Sequence, residues 1–158
     1  MMSRDELCEI ILDLYQLNYA VKDFLSYHLN PSENNILDIY KIKIKKAFDV
    51  DKIKKVSLAK GKKTLSDFKK IGGSTEQQIL LMLFYVDEGI NLIIKFNHFT
   101  ASLINSILSV YQATLTLIQS SYLLDYFKEA AWEPINKLTN LDFDWKPKFE
   151  EYFNSYYS

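Results

Sequence analysis

"IYKIKIKK" (residues 39–46) admits two backbone conformations, and the choice between them sets the fold class. As a strand, Tyr40, Ile42 and Ile44 face one way and Lys41, Lys43 and Lys45 the other, the two-residue period of a pleated chain. As a helix at 100° per residue, Ile36, Leu37, Tyr40, Ile44, Ala47 and Phe48 fall within one arc of about 120°. Lys41, Lys43, Lys45 and Lys46 lie outside that arc, as do Ile39 and Ile42. The helix accounts for six apolar positions over thirteen residues, the strand for three over five. A strand also needs a partner for its backbone groups, and no second convincing strand occurs in the chain. The stretch is expected to be helical.

Working outward, Ser57 is placed to cap a helix through Ile71, with Leu58, Leu65, Phe68 and Ile71 on its apolar side. Gly72-Gly73 stops that helix, and the capping box Ser74-x-x-Gln77 opens the next, of about 75–97. Its run ILLMLFYV (79–86) is apolar all round, which marks a helix enclosed by others. A further helix is expected from Thr100 to Ser121, and another from near Tyr122 that Pro134 breaks or kinks. The last spans Lys146 to Tyr157. Upstream, the capping box Ser3-x-x-Glu6 opens a helix reaching Leu29, with Leu7, Ile10, Ile11, Leu14, Leu17, Val21, Phe24 and Leu25 at helical spacing. Asn30-Pro31, with Glu33, then reads as the start of the helix containing residues 39–46. The expected fold is all-α: one domain over 1–158, six or seven helices around the apolar helix of about 75–97.

Composition agrees. A chain of 158 residues, 48% apolar and 25% charged, can bury a core without staples, and four Gly with three Pro are too few for many tight turns. Cys8 is the only cysteine, so no intrachain disulfide forms, and a reducing cytoplasm is expected with Cys8 inert and half-buried. The opening MMSRDELCEII carries three acids by residue 9, unlike a signal peptide. Residues 96–124 contain no Asp, Glu, Lys or Arg, but Ser, Thr, Asn and Gln interrupt them every few positions, so a membrane span is rejected.

Catalytic chemistry is not legible. His28 and His98 stand far apart with no metal-ligand spacing, no serine sits in a G-x-S-x-G elbow, and no cofactor is implied. Asp87 and Glu88 follow the apolar run, but adjacent helical residues diverge by about 100°. One is expected to be exposed and the other paired with a lysine. No positioned constellation emerges.

Binding surfaces are the open question. Residues 41–70 hold twelve lysines against three aspartates, a net +9, in a chain of net −1. Lys41, Lys43, Lys45, Lys46, Lys60, Lys62, Lys63, Lys69 and Lys70 could form a face for nucleic acid or another polyanion. Arg4 is the only arginine, so bidentate phosphate or guanine recognition is missing, and such lysines are ordinarily just solvated. KKIGGST (69–75) has the ingredients of an anion site, and a plain stop-then-cap junction explains it equally. In the uncharged helix, Ser102, Ser106, Ser109, Gln112, Thr116 and Gln119 form a neutral polar stripe. Charge depletion marks interface cores; the other reading is a helix buried in its own domain. The C-terminal aromatics Phe143, Trp145, Phe149, Tyr152, Phe153, Tyr156 and Tyr157 either form a cage or dock the last helix.

Asn30-Pro31, LAKGKKTLSDFKKIGGS (58–74), LMLFYVDEG (81–89) and YFNSYY (152–157) resemble a family of small bacterial proteins catalogued as a domain of unknown function. The SDFKK…LMLFYV pairing is the most specific part. The resemblance implies an all-helical domain and brings no activity, cofactor or catalytic residue with it. The chain departs from the family's pattern across the uncharged helix and around Trp132 to Asp144. The resulting expectation is a non-catalytic cytoplasmic interaction module, homodimeric through residues 102–119, with polyanion binding as the alternative.

Overall fold

Residues 39–46 lie inside one uninterrupted helix, Asn35–Phe48. In the computed structural model, which describes residues 1–29, 35–139, 141 and 144–158, Ile36, Tyr40, Ile44, Ala47 and Phe48 are buried. Ile39 and Ile42 are exposed, as the helical arc requires. The described residues form eight α-helices and no strand: α1 (Arg4–Leu17), α2 (Tyr19–Leu29), α3 (Asn35–Phe48), α4 (Leu58–Lys70), α5 (Thr75–Phe96), α6 (Ala101–Ser120), α7 (Leu124–Leu138) and α8 (Lys146–Tyr157). A short 3-10 turn, Ile53–Lys55, links α3 to α4.

α5 occupies the centre. Both halves of its capping box are made between Ser74 and Gln77, and Ile79, Leu81, Tyr85, Val86 and Ile90 are buried. α3, α4, α6 and α7 all pack on it, and α8 closes the far side against α6 and α7. The approach of α5 to α6 depends on Gly89, where a Cβ would lie 2.6 Å from Ile107. α4 ends as the glycine pair requires: Gly72 takes φ +88°, and Gly73 N donates to the Phe68 carbonyl. α6 is long and apolar enough by length and composition to cross a membrane, yet 56% of that window is buried inside the bundle, as in a core helix.

Four expectations change. The first helix is two, because Asn18 adopts extended backbone (φ −133°, ψ 110°). Its amide closes α1 on the Leu14 carbonyl, and its side-chain oxygen accepts from Ala20 N at 2.9 Å to open α2. Ser57 does not cap α4 with its side chain; its amide bonds the Ala47 carbonyl at 3.0 Å instead, fixing α4 to the end of α3. Of the two effects expected of Pro134, a break or a kink, the break does not occur, and α7 continues to Leu138. The carbonyl that proline deprives of a partner belongs to exposed Ala130, where water can reach it. Cys8 is exposed rather than half-buried, because it sits on a helix with no buried residue. The Asn30-Pro31 start, Glu33 and Phe143 lie outside the described residues.

Candidate interaction surfaces

α1 carries an apolar face that no other described residue covers. It packs chiefly on α2, across a gap lined by Ile11, Leu12, Tyr15, Leu25, Ser26 and Leu29. Leu7, Ile10, Leu14 and Leu17 recur at spacings of three, four and three, within an arc of about 80° at 100° per residue. They are 46%, 44%, 47% and 83% exposed. Asp5, Glu6, Glu9 and Asp13 occupy the third side of the helix. The periodicity that places a helix against a core is therefore present, while the core is not.

α2 anchors this hairpin to the body by four hydrogen bonds. Asp23 accepts from the Tyr40 hydroxyl at 2.9 Å and from Lys43 Nζ at 2.9 Å. Ser74 N donates to the Tyr27 hydroxyl at 3.1 Å, which in turn donates to Gln77 Oε1 at 3.1 Å. His28 lies over Gly72, where a Cβ would meet its Nε2 at 3.2 Å. The KKIGGST junction is thus a stop and a cap that the protein itself fills, since Gln77 N also donates to Ser74 Oγ.

Between α2, α3 and α4 a cleft of about 560 Å³ remains. Leu17, Val21, Phe24 and Ile71 form its apolar walls, and Lys43, Lys63, Lys70, Asp23, Asp67 and Tyr40 its polar ones. Lys43 is paired with Asp23, and Lys63 with Asp67 at 2.6 Å. The Lys70 side chain makes no hydrogen bond or ion pair with another described residue. Burial first, and the hydrogen bond to Asp23 second, push the Tyr40 phenol well above its ordinary range, so it stays a protonated donor.

α3 and α4 pack side by side, and the lysines of 41–70 do not all border the same cleft. Lys43, Lys63 and Lys70 meet at this cleft. Lys41 lies over the Phe84 ring (5.8 Å), beside Asp87, Glu133 and Lys137. Lys69 borders a separate cleft between α4, α5 and α6. Lys45 acts on Glu88, and Lys46, Lys60 and Lys62 are exposed.

On α6, Ser102, Ser109, Gln112, Thr116 and Gln119 are exposed, and Thr116 Oγ1 lies 2.7 Å from the Tyr156 hydroxyl. Ser106 is not a surface residue. It is 4% exposed, with Oγ 2.7 Å from the Tyr85 hydroxyl. Ser106 sits at the edge of the polar arc nearest α5, where its small side chain fits against the core.

The remaining candidates are structural. Asp87 pairs with Lys137, while burial raises the Glu88 carboxyl above its usual range and Lys45 opposes that. His98 stacks on Phe99. Phe149 packs on Tyr111 and Phe153 on Trp132, so the C-terminal aromatics dock α8; Trp145, Tyr152, Tyr156 and Tyr157 are partly buried around them. No group of three His, Cys, Asp or Glu side chains that could hold a metal occurs among the described residues. The chain matches no protein-family model, no curated protein and no solved structure. The open face of α1 is the feature that sequence reasoning missed: the pattern was visible, but not the want of a cover.

Proposed function

We propose that the protein is a non-catalytic, cytoplasmic interaction module that pairs with a second copy of itself through α1. The observation that carries this reading is the exposure of Leu7, Ile10, Leu14 and Leu17 on one side of a helix with no buried residue. Their spacing is the a/d pattern by which helices pack along a seam.

Surface area supports a second copy as the occupant. Self-contained monomers of 18.5 kDa expose about 8,200 Å². This chain exposes 10032 Å², a surplus of about 1,800 Å², and a standard interface removes about 800 Å² per partner. The four acids of α1 disfavour the other ready cover for an apolar helix, an anionic lipid surface. The interface thereby moves from the α6 stripe to α1. A face of Ser and Gln side chains loses little by meeting water, whereas a face of Leu and Ile does.

Light scattering coupled to size exclusion tests the reading. At tens of micromolar the protein is expected to run at twice its 18.5 kDa chain mass, and Ile10→Glu to run as a monomer. A monomeric wild type would overturn it.

A further inference from the structure

The cleft between α2, α3 and α4 has the size and lining of a small-molecule site. Its volume of about 560 Å³ falls within the usual range for ligand pockets, roughly 300–1,000 Å³. One part is apolar, built from Leu17, Val21, Phe24 and Ile71. The other is polar, and its charges are unequal in availability. Asp23 holds Lys43 and the Tyr40 hydroxyl, and Asp67 holds Lys63. Lys70 alone is left without a counter-charge among the described residues. Three lysines against two aspartates give the lining a net charge of +1. A chain of phosphates would find two of the three lysines already neutralised. A single negative charge joined to an apolar body would leave both ion pairs intact and satisfy the remaining cation.

We propose that this cleft binds a small organic monoanion, with its apolar body against Val21, Phe24 and Ile71 and its charge on Lys70. Leu17 borders both the α1 seam and the cleft, whereas the residues assigned to the anion, Val21, Phe24, Ile71 and Lys70, lie outside the seam.

The probe is anilinonaphthalene sulfonate, a monoanion with an aromatic body, compared with its uncharged parent N-phenylnaphthylamine. Fluorescence titration of the full chain is expected to give one saturable anionic site per chain, with the neutral parent bound more weakly. Lys70→Glu is expected to weaken the anion by about tenfold or more and to leave the neutral parent unchanged. Lys70 is exposed, so the substitution leaves the core intact. Leu7→Ser, on the α1 seam and outside the cleft, is expected to change neither titration. The proposal is overturned if the two probes bind equally, if Lys70→Glu leaves the anion's affinity unchanged, or if Leu7→Ser abolishes binding.

Discussion

The Tyr85 hydroxyl and the Ser106 Oγ lie 2.7 Å apart in the buried contact between α5 and α6, each the other's hydrogen-bond partner. Burial raises the Tyr85 phenol above its ordinary range while the bond to Ser106 opposes the shift, so the pair is neutral. Ser106→Ala leaves the phenol unpaired and is expected to cost about 1–3 kcal/mol in urea unfolding. Adding Tyr85→Phe removes the orphaned group, so the double variant is expected to be more stable than Ser106→Ala alone. Strictly additive losses would contradict this.

At Gly89 two effects oppose. Alanine favours a helix over glycine by about 1 kcal/mol, but its Cβ would lie 2.6 Å from both Cγ1 and Cδ1 of Ile107. Overpacking a filled core costs about 1–3 kcal/mol, and moving Cγ1 requires a change of χ1, which a β-branched residue in a helix holds in one strongly preferred rotamer. Gly89→Ala is expected to lower the melting temperature. A rise would show that α5 and α6 can separate freely.

The burial of Glu88 is expected to make stability depend on pH. Its folded-state pKa is raised, chiefly by burial and against the pull of Lys45. The folded chain therefore holds this proton more tightly than the unfolded chain, and its contribution to stability falls as pH rises through the folded pKa from the ordinary carboxylate range. Glu88→Gln keeps the shape and removes the charge. Its urea midpoint is expected to exceed the wild-type value at neutral pH, with the difference closing toward about pH 4. A variant less stable than wild type at neutral pH would show that the attraction of Lys45 outweighs the burial.

Much of this architecture is legible in the chain. Tyr40, Ile44 and Phe48 name the buried side of α3, Ser74 and Gln77 mark the start of α5, and Gly72-Gly73 marks the end of α4. Other features depend on information that periodicity does not carry. Asn18 interrupts α1 and α2 because its side chain competes for a backbone amide, and an apolar pattern running straight through the position hides this. Ser106 is the type of residue that belongs on a polar stripe; its burial follows from the position of Tyr85, a long-range fact. Leu7, Ile10 and Leu14 show the limit most clearly. Spacing establishes that a helix has an apolar side, but not whether that side is covered by the same chain. The lysines likewise read as one basic block, while the packing of α3 against α4 and α5 sets Lys43, Lys63 and Lys70 at one cleft, Lys41 at a second and Lys69 at a third.

Cys8 is the only cysteine, is exposed, and sits on α1, so a spin label attached to it reports on the proposed interface without any substitution. Pulsed dipolar spectroscopy of the labelled protein, at the concentration used for light scattering, is the most direct measurement. Pairing through α1 predicts a resolved coupling between two labels on different copies, lost on dilution with unlabelled chain and lost in Ile10→Glu. No coupling in the wild type, or a coupling that persists in Ile10→Glu, would contradict it.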